Sequence, residues 1–444
     1  MKPQTAIVVG AGLSGLAVAF YLQESGFAVR VLERSDSVGG RVRTARKQGY
    51  VIDSGPDAAT AGYREFLALL RAVGMQATIV PSNGVIGLLR NGVVHDVDPQ
   101  RLLAALSTPA LSWRAKWQLL VGALRVRPRL RGIDAFELFE SADQDDPSTN
   151  AWDFSERLFG AEVTDYLIDP ALRLTTGSGA RQASQLGVLG ALSAWTQPLV
   201  TITGGLDALP GALAQRVPVS CGAEVTQVSD SADGVSVEYH DAGGESHVGK
   251  ADYCVITAMY DAACSIWQPL ATLVPQFGRE LRNVKLISIS LGYKVQGRSK
   301  AYVIQVPSKE YPDVLLMFLQ HNKAPDRAPP GHSLITLYTD TLATDKYLSW
   351  SDADIEAWAS GIVESVFPEL GGQRELCEVT RWPKAGYHAA PGFWRRSRDL
   401  QQALPATARV QIAGDLFGAG SMESAVRCGK RIADRIISTQ RVQA

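Results

Sequence analysis

Three glycines stand at positions 10, 12 and 15 in the string GAGLSG, and an acidic residue, Glu33, follows 18 positions after the last of them. That spacing suits a diphosphate joined to a ribose. Gly10 permits a tight turn, Gly12 lets a pyrophosphate approach the backbone, and Gly15 lets a helix and a strand pack closely. Leu13 and Ser14 begin a helix whose free N–H groups face the phosphates. Glu33 can accept hydrogen bonds from both ribose hydroxyls, with Arg34 beside it. The pattern is informative only between a strand and a helix. Both are expected. Residues 5–9 are a β-branched run suited to a strand buried on both faces. Residues 13–25 carry apolar side chains at helical spacing, with Gly26 as a stop. A second strand, 29–32, leads to Glu33.

These glycines alone leave NAD and FAD open. The string VGGRVRT (38–44) comes next. Gly39 and Gly40 expose backbone donors, and Arg41 can neutralise a diphosphate through a bidentate contact. A basic surface turn would look the same. The far end of the chain decides between them. Gly414 and Asp415 end a strand expected over 410–413. Gly418 and Gly420 follow, and Ser421, Met422 and Glu423 open a helix expected to run to 437. Asp415 can hold ribityl hydroxyls. The positive end of that helix can stabilise negative charge on a reduced flavin ring. Both ends of the sequence therefore point to one FAD site.

The 444 residues predict two or three domains with ample core. Hydrophobic residues make up 46% and charged residues 20%, an ordinary globular balance. A net charge of −1 gives no case for nucleic-acid binding. The five cysteines form no CxxC pair and no cluster with histidine, so neither a disulfide framework nor a metal site is expected, and a reducing cytoplasm fits. A strand starting within a few residues of Met1 leaves no room for a signal peptide. No apolar run approaches the roughly 20 residues of a membrane span.

Residues 60–190 read as mostly helical, with a polar loop over 141–150. Strands are expected at 225–228, 235–239, 253–257, 284–293, 302–306, 314–319 and 333–339, and a helix over 351–366 with Ser351 and Asp354 sharing its N-cap. Residues 101–131 hold seven Arg or Lys and no Asp or Glu. Trp113 and Trp117 flank Arg114 and Lys116 there. Such a stretch rests on an anionic membrane, collects an acidic substrate, or is a solvated helix face, the last being the commonest case.

The strings at 8–44, 203–216, 223–228 and 413–436 resemble the flavin-containing amine oxidase superfamily, which includes protoporphyrinogen oxidases and phytoene-type desaturases. The resemblance implies an α/β fold. It has a Rossmann-type FAD-binding domain of the glutathione-reductase and amine-oxidase kind, and a substrate domain of mixed β-sheet with a helical insertion. The FAD-binding domain would take 1–85, 199–270 and 376–444, the helical part 86–198, and the substrate sheet 271–375. Val225 matches a valine whose backbone contacts adenine. GYVIDSGPD (49–57) is most similar to the protoporphyrinogen oxidase branch and would lay Gly55 and Pro56 against the flavin. Residues 154–163, 167–170 and Ser184 resemble that branch's helical domain, which shapes the substrate cavity and in some members sits on a membrane.

Two departures stand out. Amine oxidases bracket the flavin with two aromatic residues. Tyr387 matches one, but Ser421 occupies the place of the other, which weighs against a simple amine substrate. Gly386 stands where members with a thioether-linked flavin have cysteine, so the FAD should be non-covalent. The resemblance also offers Lys285 as the lysine that hydrogen-bonds to flavin N5 through water, against an ordinary solvent-facing lysine. His388, beside Tyr387, is either catalytic or a polar loop residue. Trp382, Tyr387 and Arg173 are the expected substrate contacts, with Arg173 a partner for a substrate carboxylate. The implied activity is that of an FAD-dependent oxidoreductase, removing hydride from a C–C or C–N bond of a mainly apolar, cyclic small molecule. Oxygen is one candidate acceptor. The alternatives are oxidation of a bulky amine and a redox-neutral isomerisation of an unsaturated lipid.

Overall fold

The structure, a computed structural model, describes residues 3–98, 107–195 and 197–443. Its first layer is a five-stranded parallel sheet. The strands run in the order Val219–Cys221, Ala28–Glu33, Thr5–Val9, Tyr253–Ile256, Val410–Ile412. Ala6, Val8, Val31, Cys254, Val255 and Ile412 are almost fully buried, as a parallel sheet covered on both faces requires. The last strand, from the far end of the sequence, lies two strands from the first. A three-stranded antiparallel sheet, Glu224–Ser231, Gly234–His240 and Ser246–Ala251, adjoins this layer.

The second layer is a seven-stranded mixed sheet. Its order is Arg374–Tyr387, Asn283–Tyr293, Ser333–Thr339, Val314–Leu319, Val303–Gln305, Ile86–Arg90, Val93–Val97. Side chains alternate between its faces with the period of two that strands impose. Ile287, Ile289, Leu291, Met317, Leu319, Ile335 and Leu337 pack against Ile355, Ala359 and Val363 of the helix Asp352–Val366. Leu316, Phe318 and Tyr338 face the other way. A helical part includes Trp113–Val126, Ala151–Phe159, Asp169–Thr176 and Gln185–Ala194, and Asp169–Thr176 packs on the strand Val314–Leu319. Ser112, Asn150 and Ser184 cap three of these helices through side-chain oxygens. Ser351 caps Asp352–Val366 by accepting from Asp354 N, as expected.

Four expectations differ from the structure. Residues 86–97, placed with the helices, are two sheet strands joined by Asn91 and Gly92 at φ +51° and +73°. Arg374–Tyr387, placed mostly with the FAD-binding part, is an edge strand of the seven-stranded sheet. Ser246–Ala251 is an additional strand. The loop expected at 141–150 is not fully exposed: Asp145 is buried and accepts from Ser184 Oγ, Gly392 N and Trp394 N. Residues 101–106 of the basic stretch lie outside the described residues.

Candidate flavin site

The glycine turn joins Thr5–Val9 to the helix Leu13–Glu24. Gly10 adopts φ +105°, and a Cβ on Gly15 would lie 2.0 Å from the Gly10 carbonyl oxygen, so neither position admits a side chain without rearrangement. Gly12 differs, because a Cβ there would meet nothing within 4 Å. No side chain caps the helix N-terminus, and Ser14 Oγ is buried without a hydrogen-bond partner. Unclaimed N–H groups, an orphan hydroxyl and open space over Gly12 suit a phosphate. Gly39 N donates to Ala11 O at 2.8 Å, so the second glycine pair packs directly on the first turn. Gly40 lies against Gly12.

Glu33 is fixed at its strand end, where its carboxylate accepts from Ala11 N at 2.7 Å and Ser35 N at 2.8 Å. Ala223 N donates to Glu33 O, which brings the backbone near Val225 to the same end of the sheet. Val225 is buried opposite Tyr239, at a bulge in its strand. Arg34 is exposed and lines a surface cleft with Cys221, Glu224 and Asp241.

The two ends of the chain meet at Arg41. Its guanidinium pairs bidentately with Asp415, one contact being 2.7 Å, and donates to Ala385 O at 2.9 Å. Arg41 and Asp415, expected at separate parts of the ligand, are paired with each other here. Burial alone would push the Asp415 carboxyl up, but the Arg41 charge and hydrogen bonds hold it below the usual carboxylate range. Gly414, at φ +127°, makes the turn into Asp415. Ser421 is the N-cap of the helix Met422–Gln443, accepting from Ser424 N at 3.0 Å, and Met422 is buried. A Cβ on Gly429 would lie 2.6 Å from Ser14 O, so this helix crosses close to the start of Leu13–Glu24.

Glu423 has a role the sequence did not suggest. Fully buried, it accepts from Glu65 N and Phe66 N at 3.1 and 2.9 Å, capping the helix Arg64–Ala72, and pairs with Arg427 Nε at 2.5 Å. Glu423→Ala uncaps that helix and strips a partner from Arg427. Urea unfolding should show a loss of about 2–3 kcal/mol, and a change within 0.5 kcal/mol would count against this role.

Residues 54–57 hang from the seven-stranded sheet. A Cβ on Gly55 would lie 1.9 Å from Arg41 O, so this segment sits directly on the second glycine motif. Pro56 is half-buried beside it. Trp382 Nε1 donates to Ser54 O at 2.7 Å and Tyr338 Oη to Gly55 O at 3.1 Å. Trp382 thereby supports this segment through its indole N–H. Asp57 accepts from Tyr302, Gln320 and Lys323, and Lys323 bridges it to Asp53 at 2.9 and 2.8 Å. Arg327 completes this buried group, 3.3 Å from Asp53. Burial would raise the Asp53 carboxyl, but Lys323 and Arg327 hold it down. Asp53 and Asp57 fall within the string GYVIDSGPD, but Lys323 and Arg327 did not stand out in the sequence.

The remaining candidates separate. Lys285 fails as a flavin-facing lysine: its Nζ is held 2.8 and 2.9 Å from the carboxylate of exposed Asp345. It sits at a bulge between Val284 and Leu286, which resets the facing of the strand. Arg173 also fails as a carboxylate receptor. It is buried, 3.1 Å from Asp169 and 3.2 Å from Asp340, and donates to Val314 O, so its charge is already compensated. Tyr387 lies in the Arg41–Asp415 neighbourhood, with its hydroxyl accepting from Tyr260 N at 2.7 Å. His388, next along the strand, has Nδ1 2.6 Å from the buried Ser178 Oγ.

Burial lowers the His388 imidazole below its ordinary 6.5. The unfolded chain then binds the proton more readily, so this residue costs stability as pH falls below that value. His388→Asn should remove that part of the acid loss. Melting temperatures of the two proteins should converge, or cross in favour of the variant, between about pH 8 and pH 5. A difference independent of pH would contradict the assignment.

The sequence profile of the family described as flavin containing amine oxidoreductase matches residues 13–437. A coproporphyrinogen III oxidase of Bacillus subtilis (strain 168) is 23% identical over 470 residues, covering 96% of each chain. Among solved structures, cyclohexylamine oxidase from Brevibacterium oxydans IH-35A superposes with a TM-score of 0.77 at 18% identity, covering 99% of this chain and 100% of that one. A CLA-producing fatty acid isomerase from P. acnes does so at 0.72 and 15%, covering 98% and 99%. These two likenesses establish the α/β fold with its substrate domain. The FAD is non-covalent, in keeping with Gly386 before Tyr387. The chain therefore belongs to the flavin-containing amine oxidoreductase family and is an FAD-dependent oxidoreductase.

Proposed function

We propose that the enzyme takes a hydride from a C–H bond, with loss of a proton from the neighbouring carbon or nitrogen, so that a C–C or C–N single bond of a mainly apolar, cyclic substrate of the porphyrinogen type becomes double. The observation that carries this is the similarity to a coproporphyrinogen III oxidase over nearly the whole length, together with a buried aromatic cluster behind Gly55 and Pro56. Tyr302, Leu316, Phe318 and Tyr338 form one cluster on that face of the sheet, with Leu174, Leu199 and Leu286 packed against it. Tyr302 stacks on Phe318 with ring centroids 5.1 Å apart, and Phe318 meets Tyr338 edge-on at 5.9 Å. All four are buried, so they back the Gly55–Pro56 segment with an apolar support. The similarity to a coproporphyrinogen III oxidase over nearly the whole length supports the same substrate class.

The residues that would hold FAD are the glycine turn with Ser14 at the diphosphate, Glu33 and Val225 at the adenosine, and Asp415, Ser421 and Met422 toward the ring. FAD, when bound, supplies the hydride acceptor. The chain's own part is to orient the ring system against Gly55 and to receive the proton that leaves with the hydride. We assign the second task to His388. Its burial keeps it neutral near pH 7, and the contact of Nδ1 with Ser178 Oγ fixes its ring, so one ring nitrogen is free to take a proton.

The test is anaerobic mixing of FAD-loaded enzyme with a porphyrinogen and with a panel of bulky primary amines, read by the flavin absorbance. Bleaching by the porphyrinogen alone is expected. Bleaching by amines alone would overturn the proposal, as would isomerisation of an unsaturated lipid with no oxygen uptake and no reaction with porphyrinogen.

A further inference from the structure

The helix Trp113–Val126 carries a feature that neither FAD binding nor hydride transfer uses. Trp113, Trp117, Leu120 and Leu124 are 74, 65, 50 and 62% exposed. They follow one another at i, i+4, i+7 and i+11, so they form a single stripe along one side of the helix. Few other large apolar side chains among the described residues are exposed to this degree, and those are scattered. The opposite side is firmly seated. Ala115, Gly122 and Val126 are buried, and a Cβ on Gly122 would lie 2.2 Å from the ring of Phe159. Ser112 caps the helix, with Ala115 N donating to its Oγ at 3.1 Å. The stripe therefore cannot turn inward, and its exposure is built into the packing.

The helix and the segment that follows it carry charge of one sign. Residues 107–131 include Arg114, Lys116, Arg125, Arg127, Arg129 and Arg131 and no acidic residue, in a chain whose net charge is −1. Arg114 and Arg125 lie on the same flank of the helix by their spacing. On that flank a cleft of about 260 Å³ opens between this helix and the end of Ala151–Phe159. Trp117, Gln118, Arg125, Glu156 and Arg157 line it, two guanidiniums against one carboxylate around a space large enough for a phosphate group. Tryptophans and leucines on one side, with arginines beside them, match the layering of a bilayer surface. Acyl chains lie below, indole rings suit the boundary, and anionic headgroups lie above. No helix among the described residues is long and apolar enough to cross a membrane.

We propose that this face docks the enzyme, in the plane of the surface, on a bilayer containing anionic phospholipid. The stripe inserts and the arginines bind headgroup phosphates. Both are needed, because one shallow apolar stripe holds weakly and the charge contribution fades with salt.

The experiment is co-sedimentation of the full-length, FAD-loaded enzyme with phosphatidylcholine vesicles made with and without phosphatidylglycerol. The enzyme should pellet with the phosphatidylglycerol vesicles, release in high salt, and show a blue shift of tryptophan emission. Trp117→Ser with Leu124→Ser, and separately Arg125→Glu with Arg129→Glu, should each weaken binding by about tenfold or more, with flavin content and melting temperature unchanged. Wild-type enzyme left in the supernatant would overturn the proposal. So would either pair of substitutions binding as wild type, or a concentration-dependent dimer in solution that Trp117→Ser with Leu124→Ser abolishes.

Discussion

Replacing Lys323 by methionine should cost this protein about 3–5 kcal/mol of stability, although the substitution conserves length and adds no bulk. Lys323 is 2% exposed, and its ammonium lies 2.8 Å from Asp53 and 2.9 Å from Asp57. Both carboxylates are as deeply buried as the lysine. Methionine fills the space but leaves Arg327 to balance two carboxylates from one side. The loss would also loosen residues 54–57, whose position depends on Asp57 being anchored to the sheet. Urea unfolding measures the cost. Lys285→Met is the control, because its ion pair with Asp345 is exposed and worth little. It should change stability by no more than about 0.5 kcal/mol and leave turnover unaltered. Equal effects at 285 and 323 would contradict the placement of both lysines.

Gly15→Val should abolish FAD binding at working concentrations. Even one added carbon lies 2.0 Å from the Gly10 carbonyl oxygen and 2.8 Å from Thr257 Oγ1. The helix must then move off the turn, and with it the N–H groups and Ser14 hydroxyl that would meet the phosphates of a bound FAD. A displacement costing about 3 kcal/mol weakens binding roughly 100-fold. Gly12→Ala is the informative partner, since its Cβ meets no protein atom within 4 Å. That variant should fold normally and still bind FAD poorly, because the side chain would occupy the approach of the pyrophosphate. Isothermal titration of the apoproteins with FAD gives both numbers.

What was legible in the sequence divides along physical lines. The FAD motifs were, because a diphosphate against a backbone leaves few residue choices at Gly10, Gly12 and Gly15. Strongly β-branched or apolar runs were also legible: the strands Asn283–Tyr293, Val314–Leu319 and Ser333–Thr339 fall where they were expected. The hairpin Ile86–Arg90 with Val93–Val97 was missed, although Asn91-Gly92 is a strong two-residue turn signal. Lys285 misled because a bulge at that residue breaks the parity from which facing is inferred. Arg173 carried a usable warning, since Asp169 stands at i−4 on the same helix. Its second partner, Asp340, comes from beyond a distant strand and is not visible from sequence. The Asp53–Asp57–Lys323–Arg327 group was hidden for the same reason. Lysine and arginine are ordinarily exposed, and only the assembled sheet shows these two enclosed.

The central claim is that pieces from both ends of the chain hold one non-covalent FAD. It is tested most directly by denaturing the purified, FAD-reconstituted protein and analysing what is released. One FAD per chain, recovered intact in the supernatant with a colourless protein pellet, is the predicted result. A pellet that keeps the yellow colour, a released nicotinamide dinucleotide, or a protein that takes up no flavin would contradict it.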